Sequence, residues 1–382
     1  MSNLYKTIVP GSTIGIIGGG QLGRMMALSA REMGYRIAVL DPTPDSPCGQ
    51  VADVEITAAY HDINAIQKLA SVSDVITYEF ENIDHDALTW LHEHTYLPQG
   101  TELLRITQDR ETEKTSIQTL GVPVAPFQIV TEEAELDQAV QSIGIPCVVK
   151  TCRGGYDGKG QQVIRNTEDV KAAYPLLQAG KCIVEGWVPF EKELSVIISR
   201  NPNGETKTLP LAENIHVDNI LHQTIVPARV NQEVVEQAYS VAKIIADGLG
   251  LIGTLAVEMF LVGDEIFVNE LAPRPHNSGH YSIEGCVTSQ FEQHIRAVCN
   301  LPLGDTTLLT PTVMVNLLGE HVEPTLEQYE LILSGKVHLY GKKEAKLKRK
   351  MGHITFLGED VEEILQDLSK LTIWNEKAEV KG

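Results

Sequence analysis

The chain reads as an α/β unit at its N-terminus passing into a mixed α+β body. A short apolar run, a glycine-rich turn, a helical stretch and a second apolar run follow one another within the first 41 residues. Strand-like and helix-like segments keep alternating to about residue 100, which calls for a parallel sheet covered on both faces. Beyond that point the texture changes, and a hairpin pattern stands at residues 255–269. At 382 residues the chain should hold two or three domains, each able to bury its own core.

Taken in order, residues 14–17 predict a strand, 18–23 its turn, 24–33 a helix ended by Gly34, and 36–41 the next strand. Residues 72–79 predict a strand and 84–94 a helix. Residues 109–120 form a charged helix stopped by Gly121 and Pro123. A strand at 145–150 leads into a glycine-rich loop at 151–161, and strands follow at 182–185 and 193–199. The hairpin pairs 255–260 with 265–269 around residues 262–264. A last region opens near Leu301, with strands at 312–317 and 353–357 and a helix at 361–371. No repeat or low-complexity tract interrupts the chain.

With 31 basic and 51 acidic residues the net charge is −20, which argues against nucleic acid or an anionic membrane as partner. An anionic substrate would need a local basic pocket. The six cysteines form no CxxC pair and predict reduced thiols. No secretory pattern opens the chain and no apolar run reaches about 18 residues, so a soluble, cytoplasmic protein is expected.

Gly18-x-Gly20-x-x-Gly23 followed by Asp41 fits a dinucleotide fingerprint and makes an NAD-dependent oxidoreductase one reading. The same loop could hold another phosphorylated ligand, with Gln21 offering its amide. The second loop interleaves Arg153 and Lys159 with glycines directly after Lys150, as a mobile phosphate-binding lid would. Glu258 and Glu270 lie twelve residues apart in the hairpin. An odd-numbered turn would set them on one face, where they suit Mg²⁺ bridging nucleotide phosphates; a two-residue turn at Gly263 and Asp264 would set them on opposite faces. The rigid stretch after them presents Arg274, His276, Asn277 and His280, and an arginine there suits a planar oxyanion such as bicarbonate. Residues 342–350 carry six positive charges and one negative, a solvated face or a binding loop for a phosphorylated substrate.

Five of these stretches together resemble one family: GGGQLGRM at 18–25, YEFEN at 78–82, RGGYDGKGQ at 153–161, NELAPRPHNSGH at 269–280 and RKMGH at 349–353. They resemble the 5-(carboxyamino)imidazole ribonucleotide synthases, ATP-dependent ligases of purine biosynthesis in the ATP-grasp superfamily, from about residue 15 to 358. The resemblance implies a Rossmann-like pre-ATP-grasp domain (1–105), an ATP-grasp domain (106–300) with a mobile lid at about 120–186, and a small β-rich C-terminal domain (301–382). It also implies the reaction: ATP phosphorylates bicarbonate to carboxyphosphate, and the amine of 5-aminoimidazole ribonucleotide takes the carboxyl group through released CO2.

Carried over by motif, Arg110, Lys150, Gly155, Tyr156, Asp157, Gly158, Lys159, Gly160 and Gln161 are expected at the ATP phosphates. Glu185, Gly186, Trp187 and Val188 would be the adenine hinge, Glu193 the ribose carboxylate and His216 a further nucleotide contact. Glu258 and Glu270 would hold Mg²⁺, with Asn269 beside them, and Arg274 and His276 would clamp bicarbonate and carboxyphosphate. Asp157 and Lys342 are expected near the reacting groups, and Gln21, Leu22, Glu79, Arg274, Lys342 and Arg349 on the ribonucleotide. The family also implies a homodimer and a functional link to the mutase that consumes the product. Two positions depart from its pattern: Lys346 stands where the family has arginine, and Lys348 where it has glycine. Open beside this reading are another ATP-grasp carboxyligase or formyl transferase, and a nucleotide-binding protein without turnover.

Overall fold

The computed structural model describes residues 5–155, 159–332 and 334–374. The first sheet joins β1 (Thr13–Ile17), β2 (Arg36–Asp41), β3 (Val54–Thr57) and β4 (Val75–Tyr78), all parallel, in the order β3-β2-β1-β4. Side chains alternate across a strand, so the two faces feed two cores. Ile14, Ile16, Ile37 and Val39 enter one with Met25 and Met26 of the helix Gln21–Glu32. Ile17, Ala38, Leu40 and Tyr78 enter the other with Ile66 and Leu88 of the helices Ile63–Ser71 and His85–His94. The first helix begins at Gln21, three residues ahead of the expected start, which brings Gln21 and Leu22 to its N-terminus.

A second, antiparallel sheet is built from β5 (Phe127–Val130), β6 (Cys147–Thr151), β7 (Gln161–Ile164) and β8 (Cys182–Gly186), in the order β5-β8-β6-β7. With the helices Glu133–Ile143 and Val170–Leu177 it buries a core of its own around Leu136, Val140, Val149 and Val184. These elements fall within the segment expected to be the lid.

The third sheet has nine strands: β9 (Lys192–Arg200), β10 (Thr206–Thr208), β11 (Ala212–Val217), β12 (Ile220–Val226), β13 (Gly253–Val262), β14 (Glu265–Ala272), β15 (Thr312–Leu318), β16 (Gly335–Leu339) and β17 (Lys350–Leu357). Its order is β14-β13-β9-β11-β12-β15-β17-β16, with β10 beside β9. The helix Gln232–Gly248 supplies Val234, Val241 and Ile245 to the core under β9, β13 and β14. The C-terminal strands have no sheet to themselves. β15 pairs with β12, so β15 to β17 prolong the sheet that carries the hairpin. The last helix, Val361–Leu368, covers that extension and stops three residues short of the expected end. All six cysteines are buried and unpaired, and among the described residues no helix is long and apolar enough to cross a membrane.

Candidate active site

A cavity of about 550 Å³ opens between the four-stranded antiparallel sheet and the nine-stranded one. Arg110, Lys150, Gly155, Lys159, Gln161, Glu185, Gly186, Trp187, Val188, Glu193, His216, Glu258, Asn269, Glu270, Arg274 and His276 all line it. Gly160 sits beside Gly155, against the Thr151 hydroxyl. Tyr156, Asp157 and Gly158, expected in the same loop, lie outside the described residues.

The hairpin answers the question of faces by a route that turn counting missed. Its turn has two residues, since Val262 pairs with Glu265. That register would set Glu258 opposite Asn269. Between Glu258 and Met259 the pairing slips by one, so Met259 faces Val268 while Glu258 faces Glu270. Asn269 is the extra residue of a β-bulge, and the bulge turns both glutamates to one face. Glu258 lies 3.1 Å from His276 Nε2, and Glu270 lies 3.2 Å from Arg110 Nη1. Burial, and then the facing Glu270 charge, push the Glu258 carboxyl above its ordinary range. Two opposed hard-oxygen donors that repel each other fit a divalent cation completed by phosphate oxygens.

Packed against the hairpin strand β14, the helix Arg110–Thr119 turns Arg110, Glu113, Lys114 and Ile117 inward, at helical spacing. Lys114 Nζ lies 2.9 Å from Glu185 Oε1, and Lys150 Nζ pairs with the other oxygen. Burial opposes the Glu185 charge, but the two ammonium groups outweigh it and hold the carboxyl well below its usual range. Glu113 is buried, accepts 2.7 Å from the Leu271 N–H, and is pushed up to about 8 by burial and by Glu270. Neither Glu113 nor Lys114 was singled out from the sequence. The signal was there: two charges on the face of a helix whose next inward residue is Ile117. Further along the cavity, His216 Nδ1 lies 3.0 Å from Glu193 Oε2. Burial works against its protonation, but the Glu193 carboxylate outweighs it and raises the imidazole above its usual range.

Arg274 is held by a partner not anticipated from the sequence. Its Nε and Nη2 donate to Glu81 at 2.6 and 3.1 Å, and Nη1 donates to the Pro275 carbonyl at 3.2 Å. Three of its five N–H groups are engaged, leaving two for a ligand. Burial opposes ionisation of Glu81, but Arg274 overrides it and holds the carboxyl low. His276 is pushed well below its ordinary pKa by burial and then by Arg274.

The first glycine loop lies elsewhere. Glu79, just past β4, accepts from the Gly20 N–H and, at 2.6 Å, from the Gly23 N–H. Asp41 accepts from the Gly19 N–H at 2.7 Å. The amides that a dinucleotide fingerprint would offer a pyrophosphate are thus occupied by two carboxylates of the chain itself, which overturns the NAD reading. Gly18 has φ +104°, and a Cβ there would meet Glu79 Cγ at 2.3 Å.

The cationic run divides into two kinds. Lys343, Lys346 and Lys348 are exposed and paired with Asp45, Glu344 and Asp218. Lys342 is half-buried, donates 2.7 Å to the Lys350 carbonyl, and is lowered to about 8 by burial and then by the nearby Arg349. Arg349 donates to the Glu344 carbonyl at 2.9 Å. Gln50 ties this loop to the first domain, since its Nε2 donates 2.9 Å to Gly341 O while its Oε1 accepts 3.1 Å from Arg24. Lys348, at the family's glycine position, has φ +61°, the left-handed region where glycine costs nothing. Gln21, Leu22, Glu79, Lys342 and Arg349 do not line the 550 Å³ cavity; they gather around the glycine loop and the 340s loop.

Three family models match successive stretches of the chain. Residues 115–291 match the ATP-grasp domain, 11–108 the ribonucleotide synthetase preATP-grasp domain, and 312–367 the phosphoribosylaminoimidazole carboxylase C-terminal domain. The fold and the cavity therefore define an ATP-grasp ligase. Over 365 residues the chain is 61% identical to the N5-carboxyaminoimidazole ribonucleotide synthase of Bacillus subtilis (strain 168), covering 95% of this chain and 96% of that protein. It superposes on a crystal structure of the ADP complex of an N5-carboxyaminoimidazole ribonucleotide synthetase with TM-score 0.95 and 59% identity, covering 97% of this chain and 99% of that one. It superposes on the Aspergillus clavatus N5-carboxyaminoimidazole synthase in complex with ADP and 5-aminoimidazole ribonucleotide with TM-score 0.87 and 31% identity, covering 94% and 97%. The chain belongs to the N5-carboxyaminoimidazole ribonucleotide synthase family, the family that its motifs resemble under the product's other name.

Proposed function

We propose that this enzyme uses ATP and bicarbonate to carboxylate the exocyclic amine of 5-aminoimidazole ribonucleotide, releasing N5-carboxyaminoimidazole ribonucleotide, ADP and phosphate. The observation that carries the reading is the bulged hairpin, which brings Glu258 and Glu270 together beside His276 and Arg110 in a cavity large enough for a nucleotide. A bicarbonate oxygen attacks the γ-phosphorus, the bond to the ADP oxygen breaks, and carboxyphosphate forms. The amine then gains the carboxyl group through released CO2, while phosphate departs with the attacking oxygen and the amine proton passes to solvent or phosphate.

The chain's own groups act at each stage. Lys150 and Arg110 neutralise transferring phosphate oxygens, with Lys150 oriented by Glu185 and backed by Lys114. Arg274, oriented by Glu81, offers its two remaining N–H groups to the bicarbonate. Glu258 and Glu270 would hold Mg²⁺, which when bound supplies charge neutralisation at the phosphates. Lys342 and Arg349 lie with the glycine loop and suit the ribonucleotide phosphate. The same reading includes closure of the 127–186 sheet over the nucleotide, a cytoplasmic homodimer, and delivery of the labile product to a mutase.

ADP release measured with each substrate omitted in turn tests the proposal. Release should require both 5-aminoimidazole ribonucleotide and bicarbonate. Equal release with formate would point instead to a formyl-transferring relative, and ATP binding without hydrolysis under all conditions would leave a binding protein.

A further inference from the structure

Behind His276 runs a chain of buried polar side chains whose direction the geometry determines. The backbone N–H of Ser278 donates to His276 Nδ1 at 3.3 Å. A backbone amide cannot accept, so Nδ1 must carry the lone pair and the ring proton must sit on Nε2. Ser278 Oγ, 2.9 Å from the same Nδ1, must then spend its single proton there. It therefore accepts from Ser195 Oγ at 2.9 Å, and Ser195 Oγ in turn accepts from Asn214 Nδ2 at 2.9 Å. Thr224 Oγ1 closes the chain on Asn214 Oδ1 at 3.1 Å.

Ser195, Ser278, Asn214 and Thr224 are all buried, so none can exchange its partner for water at low cost. The ring cannot simply turn over either. A flip would put carbon against both donors and against Glu258, and the His276 backbone is fixed by Gln290 through bonds of 2.8 and 2.7 Å.

We propose that Ser278, with Ser195 and Asn214 behind it, is a positioning residue that fixes His276 as the Nε2-protonated neutral tautomer. His276 then presents a hydrogen-bond donor, and not a base, to Glu258 3.1 Å away and to the anion beside it. The catalytic part of this inference rests on the reading of the site as a carboxylation centre; the tautomer itself does not. A donor at that point holds Glu258 in the orientation that faces Glu270 and favours an oxyanion, whereas an unprotonated Nε2 would repel both.

Nitrogen-15 histidine NMR of the full-length, substrate-free enzyme tests it, with His276 assigned by its loss in His276→Gln. The expected spectrum has an unprotonated Nδ1 and a protonated Nε2. A proton on Nδ1, or on both nitrogens, overturns the inference. Ser278→Ala keeps the residue-278 backbone N–H and loses only the closer Oγ donor, so the Nε2-protonated form should still dominate while a minor population protonated at Nδ1 appears. Its kcat should fall about tenfold while the KM values for ATP and ribonucleotide stay within about twofold. An unchanged tautomer with unchanged kcat would remove the positioning role. If Ser278→Ala does not fold, Ser195→Ala, which deprives Ser278 of its donor, is read the same way. The predicted tautomer in an enzyme without bicarbonate-dependent turnover would overturn the carboxylation reading and leave the tautomer assignment standing.

Discussion

The two glycine-rich loops look alike in sequence and do opposite things. In the loop at 18–23 three amides are taken by Asp41 and Glu79, so its backbone is held by the chain's own carboxylates. The loop at 153–161 lines the large cavity through Gly155, Lys159 and Gln161, with Gly155 beside Arg110, Gln161 paired to Lys150, and the two glutamates lining the same cavity. Glycine spacing marks where a backbone can come close to an acidic or phosphorylated group. It does not say whether that group belongs to a ligand or to the protein.

The largest expected effect falls on the second loop's side. Glu270→Gln removes one of two opposed carboxylates with little change in volume, and ATP turnover should fall on the order of 10³-fold. Circular dichroism should stay unchanged, and ribonucleotide affinity should stay within about twofold. Near-wild-type turnover would remove Mg²⁺ from this hairpin. For the first loop's side the sharpest lever is pH. The Lys342 ammonium is lowered to about 8, so it is charged below that pH and is lost as pH rises through it. The KM for ribonucleotide should therefore rise about tenfold per pH unit above 8 while the KM for ATP stays flat. Lys342→Arg should move that rise to higher pH.

Glu79→Gln leaves Gly20 and Gly23 sharing one amide oxygen. It should cost about 1–3 kcal/mol of stability, read by urea unfolding, and weaken ribonucleotide more than ATP. Equal weakening of both ligands would erase the distinction between the loops. The smallest effect is expected at Lys348→Gly. Relieving φ +61° should stabilise the protein by about 1 kcal/mol, since the lost Asp218 pair is exposed. A destabilised variant would mean that the lysine's contacts outweigh the strain.

What was legible in the sequence was whatever local chemistry determines. Residues 36–41 could be read as a strand, Gly34 as a helix end and Asp109 as a helix start because side chains and caps settle those locally. The face shared by Glu258 and Glu270 could not be read, because it depends on a one-residue slip in pairing that leaves no local mark. Glu81 and Lys114 escaped notice because their partners, Arg274 and Glu185, lie 193 and 71 positions away. The extension of the nine-stranded sheet by β15 to β17 is likewise a matter of which edge pairs with which. In the cationic run, charge counting could not separate Lys342, turned inward, from Lys346, exposed beside Glu344.

The most direct test follows an oxygen atom. Bicarbonate labelled with oxygen-18 should pass one labelled oxygen into the released phosphate, because the oxygen that attacks the γ-phosphorus stays with it when carboxyphosphate breaks down. Phosphate released without label, in a reaction that still forms N5-carboxyaminoimidazole ribonucleotide, would contradict phosphorylation of bicarbonate in this cavity.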